Sequence, residues 1–326
     1  MSLINRILSY LNVSVNKASS LKVEKLYYEN KLKKLSQFYL ATNAENAKDI
    51  NAFVSGIVFS KDRAMQLHAL LSSYFYYTKN YGPLTILYTY SDANHERSYN
   101  MLQEEMKHFP VTFIKETDFA GQLIEVINQA DADRLFFLTD DGIFIDHYDL
   151  NDSLYFDPVK HIFSLRLGAD LDFCYSYNIP QKIPSFHEMK KEGAPFYCWN
   201  WDSMTGSPDW IYPLSVDATV FFKKEMEMLL NQLEFKNPNS LEYQMQQYND
   251  LFLCRTGVCY AKVKYVNVPC NIVQSEFENI STGAFSTGEL LHHFLAGKRI
   301  DWKIVEKWKA RDVQLMKYSF IPAMAI

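Results

Sequence analysis

This 326-residue chain is poor in several features that mark whole classes of protein. Its five cysteines, Cys174, Cys198, Cys254, Cys259 and Cys270, include no Cys-x-x-Cys pair. An odd number of thiols without metal-type spacing argues against a disulfide scaffold or a zinc ribbon and implies a reducing compartment. No run of about 18 apolar residues occurs, so no transmembrane helix is expected. The opening Met-Ser-Leu-Ile-Asn-Arg-Ile-Leu-Ser-Tyr-Leu lacks the unbroken apolar core and cleavage site of a signal peptide. Positive charge is not in excess either: 33 Lys and Arg against 38 Asp and Glu give a net charge of −5. A dedicated nucleic-acid binder carries a basic footprint, so nucleic acid is not an expected partner. There is no internal repeat and no low-complexity tract. A cytoplasmic protein is expected.

What remains is the composition of an ordinary soluble globular protein. The hydrophobic fraction is 48% and the charged fraction 22%, in a chain long enough for one large domain with additions. Residues 1–50 look helical and form a basic arm, with Lys17, Lys22, Lys25, Lys31, Lys33 and Lys34 outnumbering Glu24 and Glu29. Leu3, Ile7, Tyr10 and Leu11 share one helical face. Two readings follow for residues 1–38: peripheral contact with an anionic membrane at its inner face, or packing on the domain or on a second subunit in a homo-oligomer.

From residue 52 onward, strands and helices alternate. Ala52–Ser60 reads as a strand, followed by a helix to Thr78 with Met65, Leu67, Leu70, Leu71 and Tyr74 at helical spacing. Leu84–Thr89, Val111–Lys115 and Leu135–Leu138 read as strands, separated by helices over Asn94–Lys107 and Gly121–Gln129. Such a β-α-β-α-β-α-β order implies a parallel sheet with its strand carboxyl ends along one edge, where ligands of open α/β sheets bind. Those ends are polar: Ser60, Lys61, Asp62 and Arg63; then Asp92; then Asp118; then Asp140 and Asp141. An apolar run stopping on two acids needs something to neutralise them, and a divalent cation is one neutraliser.

Further on, Ser164–Gly168 reads as a short element and Phe173–Tyr177 as a strand. Residues 180–213 are rich in proline and carry Trp199, Trp201 and Trp210; a long aromatic insertion of this kind reads as a wall over the active edge. Leu214–Phe222 reads as a strand with Asp217 inside it. Helices follow over Lys223–Leu233 and from Asn237 to Leu253, then a strand over Tyr260–Val268. Two more helices are expected near 287–296 and 301–317, with His292-His293 on the first. Glu242 lies three residues after Asn239, the spacing of a capping box.

Taken in order, Ala52 to Pro269 resembles the GT-A fold of nucleotide-sugar-dependent glycosyltransferases, in particular the family-2-like bacterial enzymes. The matching parts are Ser60-Lys61-Asp62-Arg63, Asp92, Leu135-Phe136-Phe137-Leu138-Thr139-Asp140-Asp141, Val220-Phe221-Phe222-Lys223-Lys224 and Leu241-Glu242. The fold class that follows is α/β, with a GT-A-like, Rossmann-like, mostly parallel central sheet and flanking helices. Its domain plan is an N-terminal arm (1–50), a nucleotide-sugar-binding half (51–150), an acceptor-binding and catalytic half (151–270) and a helical tail (271–326).

The resemblance implies transfer of a sugar from a nucleotide sugar, a UDP-sugar being favoured, to a glycan or lipid-linked acceptor in bacterial surface polysaccharide synthesis. It implies Mn²⁺ or Mg²⁺ as cofactor. Ser60, Lys61, Asp62, Arg63, Asp92, Asp118 and Asp140 then meet the donor, and Asp141 ligates the metal with Asp140 beside it. Glu242 is the first choice of catalytic base and Asp217 the second. Trp199 and Trp201 are expected to wall the acceptor site. The chain departs from the family where Thr139 replaces the first acid of the DxD motif and where Glu242 stands without an acidic neighbour. Those departures leave a non-catalytic glycan-binding protein as the alternative. A sugar-nucleotide pyrophosphorylase ranks below both, because Ser60-Lys61-Asp62-Arg63 has no glycine to cradle a triphosphate.

Overall fold

The apolar runs of the first half become parallel strands buried on both faces. The computed structural model describes residues 53–271, apart from 175, 193 and 205, together with 285–303 and 319–323. The expected N-terminal arm lies outside the described residues, as does nearly all of the helix expected over 301–317.

Strand β1 (Val54–Lys61) leads into helix α1 (Ala64–Tyr77), β2 (Leu84–Thr89), α2 (Ala93–Met106), β3 (Val111–Lys115), α3 (Phe119–Gln129) and β4 (Arg134–Thr139). β1 lies between β2 and β4, parallel to both, and β2 pairs with β3 in parallel. Strands covered on both faces are apolar throughout rather than alternating, and β1 and β4 follow that pattern: Val58, Phe136, Phe137 and Leu138 have no exposed surface.

The rest of the chain extends this sheet. After β5 (Gly142–Phe144) come β6 (His161–Gly168), β7 (His187–Lys191), β8 (Ala194–Asn200), β9 (Thr219–Phe222), helices α4 (Lys223–Leu230) and α5 (Pro238–Gln246), then β10 (Thr256–Tyr260), β11 (Tyr265–Asn267) and helix α6 (Thr287–Leu295). The nine-stranded sheet has the order β7-β8-β10-β6-β9-β4-β1-β2-β3. β9 runs against both its neighbours, β4 and β6, and β8 runs against β10 and β7. The remaining strands share one direction, so the sheet is mostly parallel.

Several boundaries differ from the sequence-based expectation. The short element at 164–168 is an eight-residue central strand, β6. The strand expected over 214–222 forms only from Thr219. Residues 214–218 turn instead, with Ala218 at a φ of 54°, and Asp217 sits in that turn rather than in a strand. Tyr260–Val268 divides in two: β10 ends at Tyr260, and β11 pairs antiparallel with β5. That pairing depends on Gly142, where a Cβ atom would lie 2.0 Å from the Tyr265 hydroxyl.

The tryptophan-rich segment is not an open wall. Trp199, Trp201 and Trp210 are fully buried, with ring centroids 4.7 Å apart for Trp199 and Trp201 and 5.0 Å for Trp199 and Trp210. They anchor β8 and the following turns, and so release more apolar surface from water than an exposed sugar platform would. None of the five cysteines forms a disulfide, and all but Cys254 are buried.

The tryptophan cluster leans directly on the β10 backbone. A Cβ at Gly257 would lie 2.3 Å from Cζ2 of the Trp199 ring, which is packed on its other sides. Gly257→Ala is therefore expected to destabilise the fold by about 1–3 kcal/mol through overpacking. Urea unfolding measures this, and an unchanged midpoint would show that the cluster yields.

Candidate active site

The cleft at the sheet edge is built from the ends of β1, β2, β4 and β6, the turn before β9 and the start of α5. It encloses about 1140 Å³. Of the residues expected at the site, Ser60, Lys61, Arg63, Asp140, Asp141, Asp217 and Glu242 all line it. Asp62, Asp92, Asp118, Trp199 and Trp201 do not.

Asp140 is the most buried of the cleft-lining acids, at 3% exposure. Its Oδ1 accepts from Arg63 Nη1 at 3.0 Å and its Oδ2 from the Lys61 backbone N–H at 3.1 Å. Arg63 also reaches Asp141 Oδ2 at 3.5 Å and donates from Nε to Asn271 Oδ1 at 2.8 Å. Burial raises the Asp140 pKa; Arg63 opposes that and Asp141 adds to it. Both Asp140 oxygens are engaged by protein donors. Asp140 therefore holds Arg63 and the β1 end in place from the cleft wall. Asp141 is more accessible, and its oxygens meet Arg63 and Asn267 only at 3.5 Å. Its carbonyl accepts from Val268 N–H at 2.8 Å, which fixes the loop to the end of β11.

Thr139 links β4 to the second half of the cleft. Its hydroxyl donates to Asp217 Oδ1 at 2.7 Å. Asn267 Nδ2 reaches the same oxygen at 3.1 Å and the Tyr265 hydroxyl lies 3.4 Å from it. Burial raises the Asp217 pKa, Arg166 pulls it down, and Asp141 pushes it up again.

Glu242 does not cap its helix. The cap of α5 is Asn237, in a reciprocal box with Ser240, and Pro238 opens the first turn. Glu242 lies one turn further in, and its Oε1 accepts from Val216 N–H at 3.1 Å. Four residues on, Gln246 donates to Leu214 O at 2.8 Å. Spacing of i and i+4 puts both side chains on one helix face, and together they hold the 214–217 turn. Burial, then the charge of Asp217, pushes the Glu242 pKa up to about 7.

Arg166, on β6, was missed by sequence reasoning. Its Nη2 lies 3.0 Å from Asp209 Oδ1. Gln181 Nε2 holds the other Asp209 oxygen at 2.9 Å. Burial pulls the Arg166 pKa down, but Asp209, Asp217 and Glu242 outweigh it and keep the guanidinium charged. Ser164-Leu165-Arg166-Leu167-Gly168 carried one signal that could have found it: a lone charge inside an apolar strand, which has to be paired. Asn267 and Asn271 gave no such signal.

The remaining expected residues have other tasks. Asp92 caps α2, accepting from Asn94 N–H at 2.8 Å, and Asp118 caps α3 through Gly121 N–H at 3.3 Å. Asp62, at a φ of 56°, accepts from Ser91 N–H at 2.7 Å and from its hydroxyl at 2.5 Å, tying the β1 loop to the β2 loop. As helix caps and a loop tie, these three are not among the residues that line the cleft. Trp199 and Trp201 are core residues and face no acceptor. His292 and His293 lie on α6, remote in sequence from any cleft-lining residue.

Among the described residues no group of three His, Cys, Asp or Glu side chains encloses a metal position. Asp141 offers hard carboxylate oxygen at the cleft wall. That fits a small divalent ion of the Mg²⁺ or Mn²⁺ type, which takes one or two carboxylates and fills its other positions with phosphate oxygens and water.

No family model matches the chain. The bifunctional glycosyltransferase pgtA of Dictyostelium discoideum is 26% identical over 256 residues, covering 68% of this chain and 32% of that protein. The fold is α/β, with a mostly parallel central sheet and flanking helices. The chain thus spans about a third of the curated relative it matches. Among solved structures, S. aureus TarS 1–349 in complex with UDP-GlcNAc aligns over 65% of this chain and 57% of that one, with a TM-score of 0.41 and 12% identity. The apo structure of the bifunctional WbbM aligns over 78% and 45%, with a TM-score of 0.35 and 14% identity.

A carboxyl whose pKa is raised in the folded state makes stability fall as pH rises, because the folded protein binds that proton more tightly. For Glu242 the loss runs from about pH 4.5, its ordinary value, to about 7. Glu242→Gln keeps an acceptor for Val216 N–H and removes the titration. The variant is expected to be roughly 1–3 kcal/mol more stable than wild type at pH 8, with no such gain at pH 4. Denaturant unfolding at the two pH values tests it; an equal difference at both would dissociate the effect from Glu242 ionisation.

Proposed function

We propose that this protein is a metal-dependent glycosyltransferase that moves a sugar from a nucleotide-sugar donor to a hydroxyl of a glycan or glycolipid acceptor, with inversion at the anomeric carbon. One observation carries this reading. A single cleft joins Lys61, Arg63 and Asp141, which suit a metal–diphosphate group, to Asp217 and Glu242, which suit proton removal from a hydroxyl. The similarity to a curated glycosyltransferase supports the reaction class. The bacterial surface-glycan setting and the favoured UDP donor rest on the motif resemblance.

The acceptor oxygen attacks the anomeric carbon while the bond from that carbon to the phosphate oxygen breaks, and its electron pair leaves with the nucleoside diphosphate. Glu242 takes the acceptor proton. A carboxylate whose pKa lies near 7 is a better base at neutral pH than an ordinary one. Asp217 stands next to it, oriented through Oδ1 by Thr139 and Asn267. Lys61 supplies a charge-assisted donor on the phosphate side, and Arg63, held by Asp140 and Asn271, adds its positive charge beside it. A bound Mg²⁺ or Mn²⁺, held by Asp141, supplies Lewis-acid stabilisation of the leaving diphosphate.

Release of nucleoside diphosphate from a panel of nucleotide sugars, in Mn²⁺ and in chelator, tests the proposal. Chelator is expected to suppress release, and Asp141→Ala to lower it by about a hundredfold or more. Glu242→Gln is expected to lose roughly 10²–10⁴-fold in turnover while retaining donor affinity. No release and no thermal shift with any donor would sink the assignment.

A further inference from the structure

We propose that Tyr177, Arg166 and Asn249 form the acceptor subsite of the cleft, and that the group held there is a sugar ring, gripped by one apolar face and by its hydroxyls. The inference rests on the glycosyl-transfer reading and deepens it, giving the acceptor a place and a chemistry.

Two buried polar atoms of the cleft wall have no partner among the described residues: Arg166 Nε and Asn249 Oδ1. Each side chain is fixed at its other end to the same short turn, Pro208–Ile211. Arg166 Nη2 lies 3.0 Å from Asp209 Oδ1, and Asn249 Nδ2 donates to Ile211 O at 3.3 Å. A carbonyl can only accept, so the amide nitrogen of Asn249 faces Ile211 and the amide oxygen is the atom left over. Buried polar groups in a native fold are almost always paired, and an exception marks a place that a ligand or a water completes.

The two atoms differ in sign. One is a donor and the other an acceptor, and a hydroxyl group both accepts and donates. Sugar hydroxyls therefore meet both atoms. A phosphate dianion offers acceptors alone and would leave Asn249 Oδ1 unmet.

Two tyrosines supply the apolar side. Tyr212 lines the cleft, and burial, then the charge of Glu242, holds its hydroxyl in the neutral form; Arg166, Asp217 and Tyr177 act on it as well. The proposed base, the guanidinium and both rings thus share one neighbourhood. Tyr177 also lines the cleft, yet it is 68% exposed. A pyranose presents an apolar C–H face that lies flat on such a ring, while polar groups around it fix its orientation. Tyr177 takes the task that Trp199 and Trp201, buried in the core, do not perform.

The test measures nucleoside diphosphate release by the full chain in Mn²⁺, from the nucleotide sugar it hydrolyses fastest. Three acceptor sets are added: p-nitrophenyl glycosides of neutral hexoses and N-acetylhexosamines, a polyprenyl phosphate in detergent, and a peptide rich in serine and threonine. At least one glycoside is expected to accelerate release. Tyr177→Ala and Asn249→Ala are each expected to raise the KM for that glycoside by about fivefold or more, with donor affinity by calorimetry retained. Asn249→Asp keeps an oxygen acceptor but cannot donate to Ile211, so it is expected to recover KM; a residue that only holds the turn would not be rescued.

Acceleration by the polyprenyl phosphate or the peptide alone, or by no acceptor while the donor is hydrolysed, overturns the inference and leaves use of a nucleotide sugar intact. An unchanged KM in folded Tyr177→Ala overturns the assignment of residues, and that exposed position tests it even if Asn249→Ala does not fold. Release from no nucleotide sugar, with no thermal shift from any of them, overturns the glycosyl-transfer reading itself.

Discussion

A guanidinium placed against two adjacent carboxylates is the contact on which this molecule is organised. β4 is apolar from Leu135 to Leu138 and leads through Thr139 to Asp140 and Asp141, where burial pushes the Asp140 carboxyl toward its neutral form. Arg63, two residues beyond β1, supplies the opposing charge and is held in turn by Asn271. Removing one partner of a buried ion pair costs about 3–5 kcal/mol, because the other is left unpaired. The pair therefore couples the ends of β1 and β4 to the chain after β11. Asp140 takes the shorter contact, and Asp141 is the more accessible of the two.

The second half of the cleft repeats the solution with different parts. Arg166 stands among Asp209, Asp217 and Glu242, and the polar side chains of Thr139 and Asn267 crowd onto one oxygen of Asp217. Burial first, and then the neighbouring charge of Asp217, keeps Glu242 protonated to higher pH than an ordinary glutamate. Thr139 is then more than a missing acid. It exchanges a charge for a hydrogen bond that joins the two halves.

Much of the first half was legible in the sequence, because its signals are local. Parallel strands buried on both faces read as unbroken apolar runs, and Asp92 and Asp118 stand where strands give way to helices. Their role was less legible, since a strand-end aspartate that caps a helix and one that lines a site look alike. In the second half the deciding contacts are remote in sequence. Arg166 meets Asp209, and Glu242 meets Val216, across distances that no periodicity reports. Aromatic content misled for a related reason: Trp199 and Trp201 belong to a segment that looks like a loop, yet β8 and β10 pair and draw both rings into the core. The capping-box spacing at Asn239 and Glu242 was also misleading, because Asn237 had already taken the cap.

β9 runs against the strands on either side of it, and this has a geometric outcome. A strand inserted in reverse presents its beginning, not its end, to the edge where its neighbours finish. The turn carrying Asp217 is thereby delivered beside Thr139 without any long connection crossing the cleft. It also ties chemistry to register: Val220 pairs with Phe136 on one side and Phe163 on the other. A slip of a single residue would invert the side-chain alternation of β9, turning core residues outward while carrying the turn away from Thr139. Loss of the site and loss of the core are thus one event at this strand. Substitutions that weaken β9 pairing therefore disturb the cleft and the core together.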